Sequence, residues 1–89
     1  MMKIVVDINL GLLAIDGEMH ADLENLLLKS GSQQGDLWGA NIYPQKDKTD
    51  QIEFTSFINI RPSQGNRGME VQDSHKKELI RSIVNKLLI

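Results

Sequence analysis

The sequence predicts an α+β fold in the order β-β-α-β-β-α, a four-stranded, mainly antiparallel sheet with both helices on one face. Three observations carry that expectation. Lys3–Ile8 and Ile52–Ile60 have the two-residue period of half-buried strands. From His20 to Lys29 the spacing changes, with Leu23, Leu26 and Leu27 recurring at helical intervals. Near the end of the chain Leu79, Ile80, Ile83, Val84, Leu87 and Leu88 draw the apolar stripe of a second helix.

Each element follows from its residues in turn. In the first strand Ile4, Val6 and Ile8 share one face, and Lys3, Val5 and Asp7 the other. Asn9-Leu10-Gly11 then joins it to the short apolar run Leu12–Ile15 as a hairpin, because Gly accepts the positive φ that closes a tight loop. Asp16-Gly17 turns the chain into the first helix, which Ser30-Gly31 ends. A polar loop, Ser32 to Asp36, leads to a third strand, Leu37–Tyr43, stopped by Pro44. Gln45 to Asp50 is a charged loop. In the fourth strand Ile52, Phe54, Ile58 and Ile60 face one way, Glu53, Thr55 and Asn59 the other. Arg61–Gly68 holds Pro62, Gly65 and Gly68 and is read as a loop, and Asp73 or Ser74 caps the last helix.

Composition bounds the possibilities. The 89 residues are 40% hydrophobic and 25% charged, with a net charge of −2 and no cysteine. A chain of this length reads as a single domain, 1–89, with a thin core, burying only about 60% of the surface its unfolded form exposes. The absence of cysteine excludes disulfides, thiolate nucleophiles and cysteine-based zinc sites. Near-neutral charge argues against a strongly basic coat for nucleic acid. The N-terminus lacks the apolar core and cleavage site of a signal peptide, and no apolar run approaches bilayer length, so a cytoplasmic protein with no membrane association is expected. The charge is nevertheless uneven: residues 1–44 carry two basic and six acidic side chains, residues 61–89 six and three.

If the second and third strands run in the same direction, the polar residues sort to two ends of the sheet. At one end Asp16, Glu18, His20, Asp22 and Glu24 gather near the Pro44–Asp50 loop. His20 and Glu24 lie one helical turn apart and could offer a nitrogen and a carboxylate to a metal, the basis of a metal-dependent enzyme reading. The competing reading is that acidic residues complement the helix dipole, with His20 at the cap. No two-histidine motif is present, no cofactor is called for, and the balance leans away from an enzyme.

At the other end Arg61 should meet Asn9–Gly11, the Gln33–Asp36 loop and the start of the last helix. Arg61, Ser63, Gln64, Asn66 and Arg67 supply many donors, and Gly65 and Gly68 allow close backbone approach to an anion such as phosphate, a nucleotide or nucleic acid. The plain structural alternatives are that Arg61 pairs with Asp36, and that Lys76, Lys77, Arg81 and Lys86 form a solvated helix face. Trp38 reads as a core anchor before it reads as a base-stacking platform, and Gly39 as a bulge or a close backbone approach.

The runs Gly17-Glu18-Met19-His20-Ala21-Asp22, Asp36–Pro44 (DLWGANIYP) and Ile58–Arg67 (INIRPSQGNR) resemble those of a family of small uncharacterised prokaryotic proteins, and the likeness covers nearly the whole chain. It implies a domain of unknown function without a mechanism. Members of that family tend to carry an additional helical segment ahead of the first strand, whereas here the strand starts almost at Met1. The missing cover would leave Val5, Leu12, Tyr43 and Phe57 exposed and favour a homodimer. Sequence therefore supports a binding or regulatory module engaging an anion at Arg61–Gly68, with a homodimeric interaction domain and a metal-dependent enzyme as the other readings.

Overall fold

Ile4, Val5 and Val6 are consecutive apolar residues, so the strand they form has no face to give to water. The computed structural model, which describes residues 1–88, places that strand inside the sheet. Strand β1 (Met2–Asp7) pairs antiparallel with β2 (Leu12–Ile15) on one side and with β3 (Leu37–Ile42) on the other. A short β4 (Ile52–Glu53) follows β3, giving the order β2-β1-β3-β4 with every pairing antiparallel. Together with helices α1 (His20–Lys29) and α2 (Ser74–Leu87) this is the expected α+β class. Both β2 and β3 run against β1, hence in the same direction as each other.

The placement of the helices corrects the expectation that both lie on one face. Ile4 and Val6 of β1 join Trp38, Ala40 and Ile42 of β3 in one cluster with Ile80 and Val84 of α2. Val5, Ala14 and Leu37 point the other way and pack with Leu23 and Leu27 of α1. The helices thus cover opposite faces. Val5, expected to be exposed, is fully buried under α1. Leu12 and Phe57 are exposed as expected, while Tyr43 is half-buried. All six residues of β3 are buried, as a strand covered on both faces requires.

The fourth strand is also much shorter than its alternation predicts. After Glu53 the chain leaves β3 and pairs with a later segment instead: Val71 N–H donates to Phe54 O (2.9 Å) and Ser56 N–H to Met69 O (3.1 Å). Phe57–Asn59 is a 3-10 turn, started by Ser56, whose hydroxyl accepts from Ile58 N–H at 3.2 Å. Asn59, expected on a polar face, is fully buried.

Two local devices fix the remaining connections. Asp7 is fully buried at the end of β1, where its Oδ1 accepts from Asn9 and Leu10 N–H and its Oδ2 from the Ser32 hydroxyl at 2.6 Å. One carboxylate thereby ties the β1–β2 turn to the segment after α1. Asp73 caps α2, accepting from His75 and Lys76 N–H. No helix among the described residues is long and apolar enough to cross a membrane.

Candidate functional site

Pro62 fixes the φ that starts a 3-10 turn over Pro62–Gln64, and Gly65, at φ +81°, supplies the left-handed residue that reverses the chain. Arg61 and Asn66 then pair as a two-residue bridge, with N···O distances of 2.7 and 3.1 Å. Asn66 is the hub of this loop. Its Nδ2 donates to the carbonyls of Asn59, Gly68 and Glu70 at 2.8 to 3.0 Å, and its Oδ1 accepts from Gln72 N–H. An amide so occupied shapes the loop and has nothing left to offer a ligand.

Arg61 is likewise turned inward. Its side chain is 10% exposed, Nη2 donates to Glu24 Oε2 at 3.3 Å, and its guanidinium lies 4.7 Å from the centre of the Trp38 ring. Lys76 Nζ lies 4.6 Å from the same ring. Burial lowers the Arg61 pKa, opposed by the neighbouring Glu24 carboxylate. Its Nη1 and the Trp38 Nε1 are buried donors without a partner among the described residues. Gln64 Nε2 donates to Gly35 O at 3.1 Å, so the loop does meet the Gln33–Asp36 segment. Ser63 and Arg67 stand exposed. Arg61 pairs with Glu24, not Asp36, and Trp38 is fully buried, a core residue with no face open to a base.

The second predicted cluster is divided by the fold. His20 lies against β3, where its Nε2 donates to Ala40 O at 2.8 Å, which fixes that nitrogen as the protonated one. Glu24 belongs to Arg61, and Glu18 and Asp22 are exposed. No three His, Asp or Glu side chains among the described residues gather where they could share a metal ion. The Glu24–Arg61 contact instead joins one residue from each predicted site.

A further surface, which sequence reasoning did not assemble, lies beside His20. Met19, Ala21, Phe57 and Ile58 line a shallow hollow of about 270 Å³ together with His20, Ser56 and Lys3. Phe57 stands 77% exposed and Met19 60%. The backbone on either side of Phe57 is anchored, because Ser56 and Asn59 are buried and hydrogen-bonded.

With this arrangement in view, the comparison with known families is specific: the model of a family described as proteins of unknown function, DUF5674, matches residues 1–87. The chain belongs to DUF5674. No curated protein and no solved structure matches it.

For this DUF5674 chain the residues that sequence reasoning missed are Asn59, Asp7 and the pairing of Met19 with Phe57. The two-residue period places Asn59 and Asp7 on the outward faces of strands. The available signal was Asp7 followed by Asn9 and Gly11, a turn pattern in which an Asp side chain commonly accepts backbone N–H groups. Nothing in the spacing of Met19 and Phe57, 38 positions apart, reports that they share one hollow.

Proposed function

We propose that this DUF5674 chain is a protein-interaction domain that self-associates through the Met19–Phe57 surface. The observation that supports the reading is the exposure of Phe57 on a turn whose flanking residues, Ser56 and Asn59, are buried and hydrogen-bonded. An aromatic side chain has few rotatable bonds, so on an anchored backbone it loses little entropy on docking and serves as an interface anchor. Phe57 forms one wall of the hollow that Met19, Ala21 and Ile58 also line. A projecting ring next to an apolar hollow is self-complementary: about a twofold axis, each Phe57 can enter the hollow of the other copy.

Light scattering over a wide concentration range tests this. The native chain should form a concentration-dependent dimer, and Phe57→Ser should weaken it by roughly 30-fold, the effect of removing an interface anchor. A chain that stays monomeric at millimolar concentration, or a dimer indifferent to Phe57→Ser and Met19→Ser, refutes the reading.

A further inference from the structure

A different surface carries an inference independent of the Phe57 contact. The loop between β3 and β4 folds over the flank of α2, and between them lies a hollow of about 500 Å³ lined by Lys48, Thr49, Gln51, Ile52, Arg81 and Asn85. Its polar groups come from two separate elements. Arg81 and Asn85, one helical turn apart on α2, face Lys48, Thr49 and Gln51 on the loop. None of the six is acidic. The loop acids Asp47 and Asp50 line a neighbouring hollow with Gln45, Lys46 and Glu53.

The setting of Arg81 gives the hollow its chemistry. Its guanidinium lies 5.4 Å from the centre of the largely buried Phe54 ring, and its Nε lies 3.6 Å from Glu78 Oε1. The ring supports the guanidinium from one side, and the Glu78 contact at Nε, longer than a hydrogen bond, leaves the terminal nitrogens for two-pronged recognition of an oxyanion. Lys48 adds a second positive charge from the opposite wall, and Thr49 and Asn85 add neutral donors. An ordinary solvated helix face has no such facing wall.

We propose that this hollow binds a small phosphorylated molecule, with Lys48 and Arg81 holding the phosphoryl group. Two cations and two neutral donors match a dianion better than a single carboxylate. The volume falls within the range of small-molecule sites and exceeds what a bare phosphate fills, and Ile52 provides an apolar contact for the rest of the molecule. Nucleic acid is the less suitable occupant, since the chain has a net charge of −2 and Asp47, Asp50 and Glu53 line the adjoining hollow, where a longer polyanion would run.

Backbone and arginine side-chain amide shifts, followed at constant ionic strength, test the proposal with inorganic phosphate, phenyl phosphate and a short single-stranded oligonucleotide as probes. Saturable shifts are expected at residues 48–52 and 81–85, with phenyl phosphate binding more tightly than inorganic phosphate. Lys48→Gln and Arg81→Gln should each weaken phenyl phosphate about tenfold, the usual effect of losing one charge-assisted contact, whereas Arg67→Gln should not. Lys48 is exposed, so its variant decides the matter even if Arg81→Gln fails to fold. Shifts that never saturate, or an affinity unchanged in Lys48→Gln, overturn the site. An oligonucleotide that binds more tightly than phenyl phosphate, with a footprint spreading beyond the hollow, overturns the assignment to a small ligand.

Discussion

The carboxamide of Asn59 pairs with both backbone groups of Gly39: Gly39 N–H donates to Oδ1 at 2.8 Å, and Nδ2 donates to Gly39 O at 2.9 Å. Beyond the two residues of β4, β3 would present an open edge inside the molecule. One side chain stands there in place of a strand. Nδ2 also reaches Met69 O at 3.1 Å, so the same residue ties the returning segment to the sheet.

Asn59→Ala should therefore lower stability by about 2–4 kcal/mol, because it strands buried backbone donors and acceptors as well as removing the bonds. Chemical denaturation measures this. A loss below about 1 kcal/mol, the worth of one ordinary hydrogen bond, would show that Asn59 does not substitute for a strand.

Gly39 is needed for contact distance. A Cβ at this position would lie 2.6 Å from Ser56 Cβ and 2.8 Å from Ser56 Oγ. Gly39→Ala should destabilise by about 1–3 kcal/mol through overpacking, and Ser56→Gly should restore part of that loss when combined with it. A double-mutant cycle measures the coupling, and strictly additive losses would mean that some other contact is responsible.

Glu24 and Arg61 connect α1 to the 61–68 loop with side chains 13% and 10% exposed. Glu24→Gln should cost about 2–3 kcal/mol, since it leaves a largely buried guanidinium without its counter-charge. Replacing both by apolar residues, as in Glu24→Leu with Arg61→Met, should cost less than Glu24→Gln alone. Equal or greater loss in the double variant would contradict a desolvation origin. Burial lowers the Arg61 pKa, but an arginine keeps its charge throughout the ordinary pH range, so no pH dependence is expected from it.

Asp73 does introduce a pH dependence. The N–H groups of Lys76 and then His75 hold its carboxyl below the usual carboxylate range. A carboxyl whose folded pKa is depressed stabilises the fold above the unfolded value, and that stabilisation disappears as pH falls through the folded value. The melting temperature should thus fall below about pH 4 more steeply in the native chain than in Asp73→Asn, where a neutral cap replaces the charged one. Parallel acid profiles for the two chains would remove Asp73 as a cause.

Much of the fold was legible because its signals are local. Strands β1 to β3, both helices, a cap at Asp73 or Ser74 and the end of β3 ahead of Pro44 follow from periodicity and turn chemistry within a few residues. The placement of the helices was legible too, in residues that an alternating template obscured: Ile4-Val5-Val6 is an uninterrupted apolar run, the mark of a strand covered on both faces. Ile52–Ile60 misled in the opposite sense. Its alternation is real, but Ser56 caps a 3-10 turn and Asn59 clamps Gly39, side-chain bonds to the backbone that compete with a strand ladder.

The candidate sites were less legible, because side-chain types do not disclose their partners. Arg61, Asn66, His20 and Glu24 have the chemistry of ligand contacts, and each uses it within the fold. The sequence by itself determined the α+β class, the order of elements and membership of DUF5674, all of which rest on short-range pattern. Only the tertiary structure decided which polar groups satisfy one another and which stay free, since that depends on contacts between residues such as Glu24 and Arg61, 37 positions apart. The same contacts left Phe57 displayed beside Met19, and Lys48 facing Arg81 across a hollow.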